Sequence, residues 1–313
     1  MTNNALKDNY STKEEIDLRE LILFFLKNKM IIIAVTSLFA VTSIINALNT
    51  PNEYRATVSL VPNENDNSGI SNSIANSLGG LSSIAGISLG TPMTNEKTVA
   101  MERMTSWGFM ESFINEYQIE AALAATGWDQ ARNQFRIDDD FYDLKKNEWK
   151  KDKKGNSYQP SSWASYESLL SRVSISEDLD TGIIYFSIDY YSPILAAEWT
   201  TNFIDFVNQN MKQRKLDQTT RNIEYLQAEI QKTSNAKIIE IFYKLIESET
   251  KDKMLAAAAP EYVFSTVSKV MVPEKKIRPV RSKMVIFATV GGGILSILAL
   301  LLIYLFRQEK FRI

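Results

Sequence analysis

The grouping Asp138, Asp139, Asp140 and Asp143 could in principle do acid–base work, because two suitably spaced carboxylates are what glycoside hydrolysis needs. Its context, DDDFYDLKKNEWKKDKKG, is dense in lysine and poor in surrounding apolar residues, which favours a solvated loop. Other chemistry is scarce. The chain has no histidine and no cysteine. That removes the commonest general base, the usual serine and cysteine triads, the preferred transition-metal ligand and any disulfide framework. There is no GxxxxGK[ST] phosphate loop either, so no cofactor is expected. One more cluster is charged: Lys275, Lys276, Arg278, Arg281 and Lys283 could meet the pyrophosphate of a lipid-linked donor. Anchoring to lipid headgroups is the plainer reading of such a run and the favoured one.

That basic run adjoins one of two uncharged apolar stretches, Met30–Leu48 and Met284–Phe306. At 1.5 Å per residue the second is roughly 35 Å long, enough to cross a hydrocarbon core. Thr36, Ser37, Thr42, Ser43 and Asn46 interrupt the first, yet spanning is still favoured over a cleaved signal peptide, whose apolar region would be shorter. Each stretch carries small residues at helical spacing: Thr36, Ala40, Ser43 and Ala47 in one, Ala288, Gly292, Ser296 and Ala299 in the other. Such stripes let helices approach closely, and they are also ordinary in membrane helices.

Two spans put residues 49–283 on one side of the membrane and both termini on the other. The basic residues flanking the spans balance between the two sides, but long loops cross largely regardless of charge, so the short basic ends point to the cytoplasm. Hydrophobic residues make up 45% of the chain, with 15 Phe, 13 Tyr and 5 Trp, which is ample for a packed core in the exported part. A near balance of 35 basic and 37 acidic residues gives no electrostatic case for nucleic acid.

The elements follow from pattern. Residues 14–29 have the apolar spacing of an amphipathic helix. Tyr54–Val61 has a strand's composition, and 63–94 is a long segment rich in Asn, Ser and Gly. Helical spacing over 96–125 makes Val99, Met101, Phe109, Phe113, Ile114, Tyr117 and Ile119 candidates for burial. Arg172–Glu177 and Ile183–Tyr190 flank the turn DLDTG and predict a hairpin. Ser192 is a natural N-cap with Pro193 after it, and Ala196, Trp199, Phe203, Val207 and Met211 then repeat along one helix face. The pattern pauses at Thr233–Asn235 and resumes through Ile246, so two long helices are expected over about 193–259. Tyr262–Val272 returns as a strand. Trp199, Phe203 and Phe206 exceed what one partner helix would cover, which predicts burial between subunits. The expected fold is α+β: two transmembrane helices (30–48 and 284–306) flanking a domain (49–283) with a small mixed sheet at its base and long extended helices, plus flanks at 1–29 and 307–313.

This layout resembles the polysaccharide co-polymerases, the O-antigen chain-length determinant proteins of the Wzz type. The resemblance covers nearly the whole chain and is carried by PNEYRATVSL after the first span, SPILAAEWTTNFIDFVN opening the long helix, and VPEKKIRPVRSK followed by GGG at 291–293. Pro273 and Pro279 answer to the family's proline-rich approach to the second span, and Gly291, Gly292 and Gly293 to its glycines. The chain departs from the pattern at Val270, where an earlier proline is expected, at Arg278, where serine is expected, and in having its glycines contiguous.

The resemblance implies a non-enzymatic, two-pass protein of the bacterial inner membrane with both termini cytoplasmic and its bulk in the periplasm. Such proteins are homo-oligomers that set the length of a lipid-linked polysaccharide made by a separate O-antigen polymerase in the same membrane. Membrane lipids are the remaining partner. Pro273, Pro279, Arg281, Ala288, Gly291, Gly292, Gly293 and Ser296 are then candidates for contact with a neighbouring subunit or the polymerase. Leucine at Gly292 should disrupt that contact and alanine should be mild. Alternatives are a co-polymerase for capsule or enterobacterial common antigen, and a membrane-tethered polysaccharide-processing enzyme using carboxylates. A receptor subunit shares the two-span layout, but the seven-residue tail after the second span argues against it.

Overall fold

A computed structural model describes residues 18–63 and 96–310. The expectations for 14–17, for nearly all of the Asn, Ser and Gly segment and for 311–313 fall outside them. The chain divides into two compact units, Met1–Thr50 with Arg278–Ile313, and Pro51–Ile277.

The first unit is helical. α1 (Leu18–Lys27) leads through Asn28 into α2 (Lys29–Asn49), and the second long apolar helix, numbered last in the chain, is Arg281–Lys310. Lys29–Asn49 and Arg281–Phe306 are each long and apolar enough to cross a membrane. α1 packs against the carboxyl-terminal half of that last helix, with the Phe24 and Tyr304 rings 5.1 Å apart.

The second unit is mixed helix and sheet. β1 (Glu53–Pro62) runs antiparallel to β7 (Ile184–Tyr190), pairing Tyr54 with Tyr190 and Leu60 with Ile184. β6 (Val173–Glu177) completes the hairpin on the far edge of β7, turning at Gly182, whose φ of 68° suits glycine. On the other edge of β1 lies β8 (Phe264–Ser268), with a register shift between Ser59 and Leu60, and β9 (Lys276–Arg278) also pairs with β1. Period-two alternation sends Ala56, Val58 and Leu60 of β1 into the core. β8 is shorter than the strand expected over Tyr262–Val272, and Met271 and Val272 are exposed.

Helices cover one face of this sheet. α3 (Glu96–Met104), α4 (Trp107–Tyr117) and α5 (Glu120–Leu123) break at Thr105–Ser106 and at Gln118, which caps α4 in the left-handed conformation. Phe109, Phe113, Ile114 and Ile119 are buried; Val99, Met101 and Tyr117 are half-buried, and Met104 and Met110 fill the space between. α6 (Ser162–Leu170) packs on α4. One small hairpin, β2 (Gly127–Asp129) with β3 (Gln134–Arg136), precedes the charged insertion, and a second, β4 (Tyr142–Asp143) with β5 (Glu148–Trp149), lies within the insertion. It is not devoid of apolar support: Tyr142 is buried, with Trp149 4.9 Å from its ring.

α7 (Pro193–Ile230) starts where Ser192 Oγ accepts from Leu195 N, and α8 (Ala236–Ala258) follows a short break capped by Asn235. The first half of α7 lies on the sheet. Phe203 stacks on Phe186 at 4.7 Å and meets Phe113 at 4.9 Å, while Trp199 contacts Tyr190 at 4.3 Å. The subunit-interface expectation for these aromatics is therefore corrected: Trp199 and Phe203 are buried within a single chain, and Phe206 packs against Phe109 and Phe113. The expectation reckoned with one covering helix, whereas a sheet and α4 share the work.

Candidate functional site

With α9 assigned to Arg281–Lys310, the two apolar helices meet along their small residues. Ala47, Gly292 and Ser296 are buried, and Thr36, Ala40, Ser43 and Ala288 are half-buried, so these faces turn toward each other. The stripe leaves the expected line at Ala299, which is exposed; Leu300 and Tyr304 are buried in its place, continuing the four-residue spacing. At Gly292 the approach is tight. A Cβ there would stand 2.6 Å from both Cβ and Cγ of Phe39. Those atoms belong to the fixed end of the side chain, so alanine itself is too large, and the expectation of a mild Gly292→Ala is corrected. Gly291 has open space around its missing side chain and Gly293 meets only Thr36 Oγ1 at 3.7 Å, so one glycine of three has a packing reason.

Polar contacts close the same pair. Arg281 Nε donates to Ala47 O at 2.8 Å, satisfying one of the carbonyls a helix leaves open in its last turn, and Ser43 Oγ donates to Met284 O at 3.3 Å. Pro279 is partly exposed just before α9, and Pro273 lies in the domain unit between β8 and β9; neither joins the stripe.

Within the domain unit, Asn208 clasps the returning chain. Its Oδ1 accepts from Val263 N and Phe264 N, and its Nδ2 donates to Phe264 O at 2.9 Å. Tyr190 OH donates to Ala122 O at 2.7 Å, and burial holds its phenol well above the ordinary range. Arg55 and Asp189, directly opposed across β1 and β7, form a two-point pair at 2.7 and 2.8 Å, and the hydrogen bond to Asp189 raises the Arg55 guanidinium. Beyond Met211 the two long helices hold one another by a sparser seam. Lys212 Nζ caps α8 at Ala257 O and Ala259 O, Lys215 pairs with Asp252 at 3.2 Å, and Asn222 donates to Glu249. Ile223, Leu226, Ile241, Phe242, Leu245 and Ile246 are only half-buried, and Tyr225, Tyr243 and Met254 are exposed.

Residues 14–135 match the chain length determinant protein family, Wzz. The match covers less than half of the chain. No curated protein matches it. Among solved structures it is similar to a full-length bacterial polysaccharide co-polymerase, at 13% identity and a TM-score of 0.38, covering 93% of this chain and 99% of that one. It is also similar to a fragment of WzzB, a polysaccharide co-polymerase from Salmonella Typhimurium, at 12% identity and a TM-score of 0.30, covering 72% of this chain and 100% of that one.

The aspartate cluster is made of turns. Asp138 Oδ1 accepts from Asp140 N, and Asp143 Oδ1 accepts from Lys145 N and Lys146 N. Those backbone donors hold the Asp143 carboxyl below its usual range, the opposite of what a general acid requires. Among the described residues no group of acidic side chains could hold a metal ion. Sequence reasoning passed over Asn208 and the exposed aromatics of α4 and α6. Trp107 opens α4 directly after N-cap Ser106, and Trp163 is the second residue of α6 after N-cap Ser161 and Ser162, positions where an apolar ring has little helix to hide behind.

Proposed function

We propose that this chain sets the length of a lipid-linked surface polysaccharide, acting without enzymatic activity of its own as a homo-oligomer beside a separate polymerase. The polymer is O-antigen, the membrane is the bacterial inner membrane, and the domain between the spans stands in the periplasm. The family match over residues 14–135 carries this reading. Two membrane-length helices, one before and one after the folded domain in the sequence, and the lack of histidine and cysteine support it. Oligomerisation gains support from the half-covered seam of α7 and α8, since two helices alone leave its apolar residues partly in water. In this reading the Gly292 stripe holds the two spans together, and Pro273, Pro279, Gly291 and Gly293 shape the contact with a neighbouring subunit or the polymerase.

Deleting the gene is the test. Surface polymer is expected to persist on a gel of extracted lipopolysaccharide while its preferred length disappears. Loss of all polymer would identify an enzyme of the pathway and overturn length control.

A further inference from the structure

Two exposed tryptophans stand at the starts of two packed helices of the domain unit. Trp107 at the start of α4 is 45% exposed and Trp163 at the start of α6 is 57% exposed. Hydrogen bonds fix their neighbourhood: Trp107 Nε1 donates to Ser162 Oγ at 3.1 Å, and Ser162 Oγ donates to Glu111 Oε1 at 2.6 Å. The Trp163 ring leans on Tyr166 at 5.1 Å, and Tyr166 OH is tied to Thr105 O at 3.0 Å. The rings are thus held in place and still open to solvent. Gly108, next to Trp107, adds free space, since a Cβ there would touch nothing within 4 Å.

We propose that Trp107 and Trp163, with Ser162 and Glu111 bonded in line with Trp107, form a sugar-binding surface for uncharged pyranose units of the polymer whose length this chain sets. The proposal rests on the function given above. A pyranose ring has an apolar C–H face that lies flat on an indole and an edge of hydroxyls that need hydrogen-bond partners. This surface offers both within two neighbouring helix ends. Indole rings supply large contact area at low cost in side-chain freedom. The hydroxyl and carboxylate beside them accept from sugar hydroxyls at fixed positions.

Two other occupants fit less well. An anionic lipid surface would meet basic residues, yet the exposed charges here include Glu102 and Glu167. A second copy of the chain would need wider apolar cover, and the two tryptophans are the exposed large apolar side chains on α3, α4 and α6 among the described residues. The acidic setting also selects against polymers bearing carboxylate or phosphate in the repeat.

Full-length protein in detergent micelles, titrated with the host's own surface polysaccharide freed from lipid by mild acid, tests this by calorimetry. Trp163→Ala should weaken binding at least tenfold, and Trp163→Tyr should recover most of it, because a ring and not a particular side chain is required. Phe141→Ala, which removes an exposed ring from the charged insertion, should bind as the parent does. Unchanged affinity in Trp163→Ala would overturn the proposal. A smaller oligomer with unchanged polymer affinity in that variant would overturn it in favour of self-association. If the parent binds no polymer although its deletion still erases the preferred length, this surface is refuted and the length-setting function stands.

Discussion

The two halves of α7 share one uninterrupted helix and live in different environments. From Ala196 to Met211 its inward face is buried against the sheet and α4, whereas beyond Met211 its single buried residue is Thr219. The proximal half is held by aromatic packing and the Asn208 clasp. The distal half, about 28 Å of helix by residue count, is held by Lys215 with Asp252, Asn222 with Glu249, and half-covered aliphatics. A long helix can therefore be anchored at one end and still offer side chains at the other. What distinguishes the two ends is the number of elements that share the covering.

Truncating one aromatic in each half separates them. Phe203→Ala, in the fully covered half, should cost about 3–5 kcal/mol in urea unfolding of the detergent-solubilised chain, from lost transfer and an unfilled cavity. Phe242→Ala on α8 should cost about 1 kcal/mol and instead lower the apparent oligomer size in light scattering. Equal losses of stability would mean that the arm is as well packed as the base.

A smaller effect contrasts neighbouring glycines in the membrane unit. Gly292→Ala should destabilise the paired spans by about 1–3 kcal/mol through overpacking against Phe39. Gly291→Ala, with open space around it, should be neutral or stabilising, because alanine favours helix by about 1 kcal/mol over glycine. Thermal unfolding in detergent checks both, and a Gly292→Ala variant melting with the parent would show that Phe39 yields easily.

Legibility in the sequence follows the range of the interaction. The hairpin around Gly182, the Ser192 cap and the break near Asn235 rest on contacts within a few residues, so pattern and turn chemistry suffice. Periodicity counts apolar faces but not how many elements cover them, so by pattern alone Phe203 belongs at a subunit interface. Asn208 reads as an ordinary polar residue on a helix, and only the returning chain, some 55 residues later, shows what it fastens. At Gly292 the sequence marks a stripe, but the partner atom is Phe39, an aromatic between small residues, and that turns a tolerated alanine into a clash. Leu300 takes the place expected of Ala299 because helix contact follows the facing surface and not residue size.

The central claim is that this chain sets polymer length without making polymer, and re-supply tests it most directly. In a deletion strain, the intact chain would be returned at stepped expression levels while the polymerase is held constant, and polymer size read from gels. The account predicts polymer at every level, random in length without the chain, with one fixed preferred size emerging and then holding constant as expression rises. Polymer that appears only when the chain is present, in amounts proportional to it, would contradict the account and indicate an enzyme.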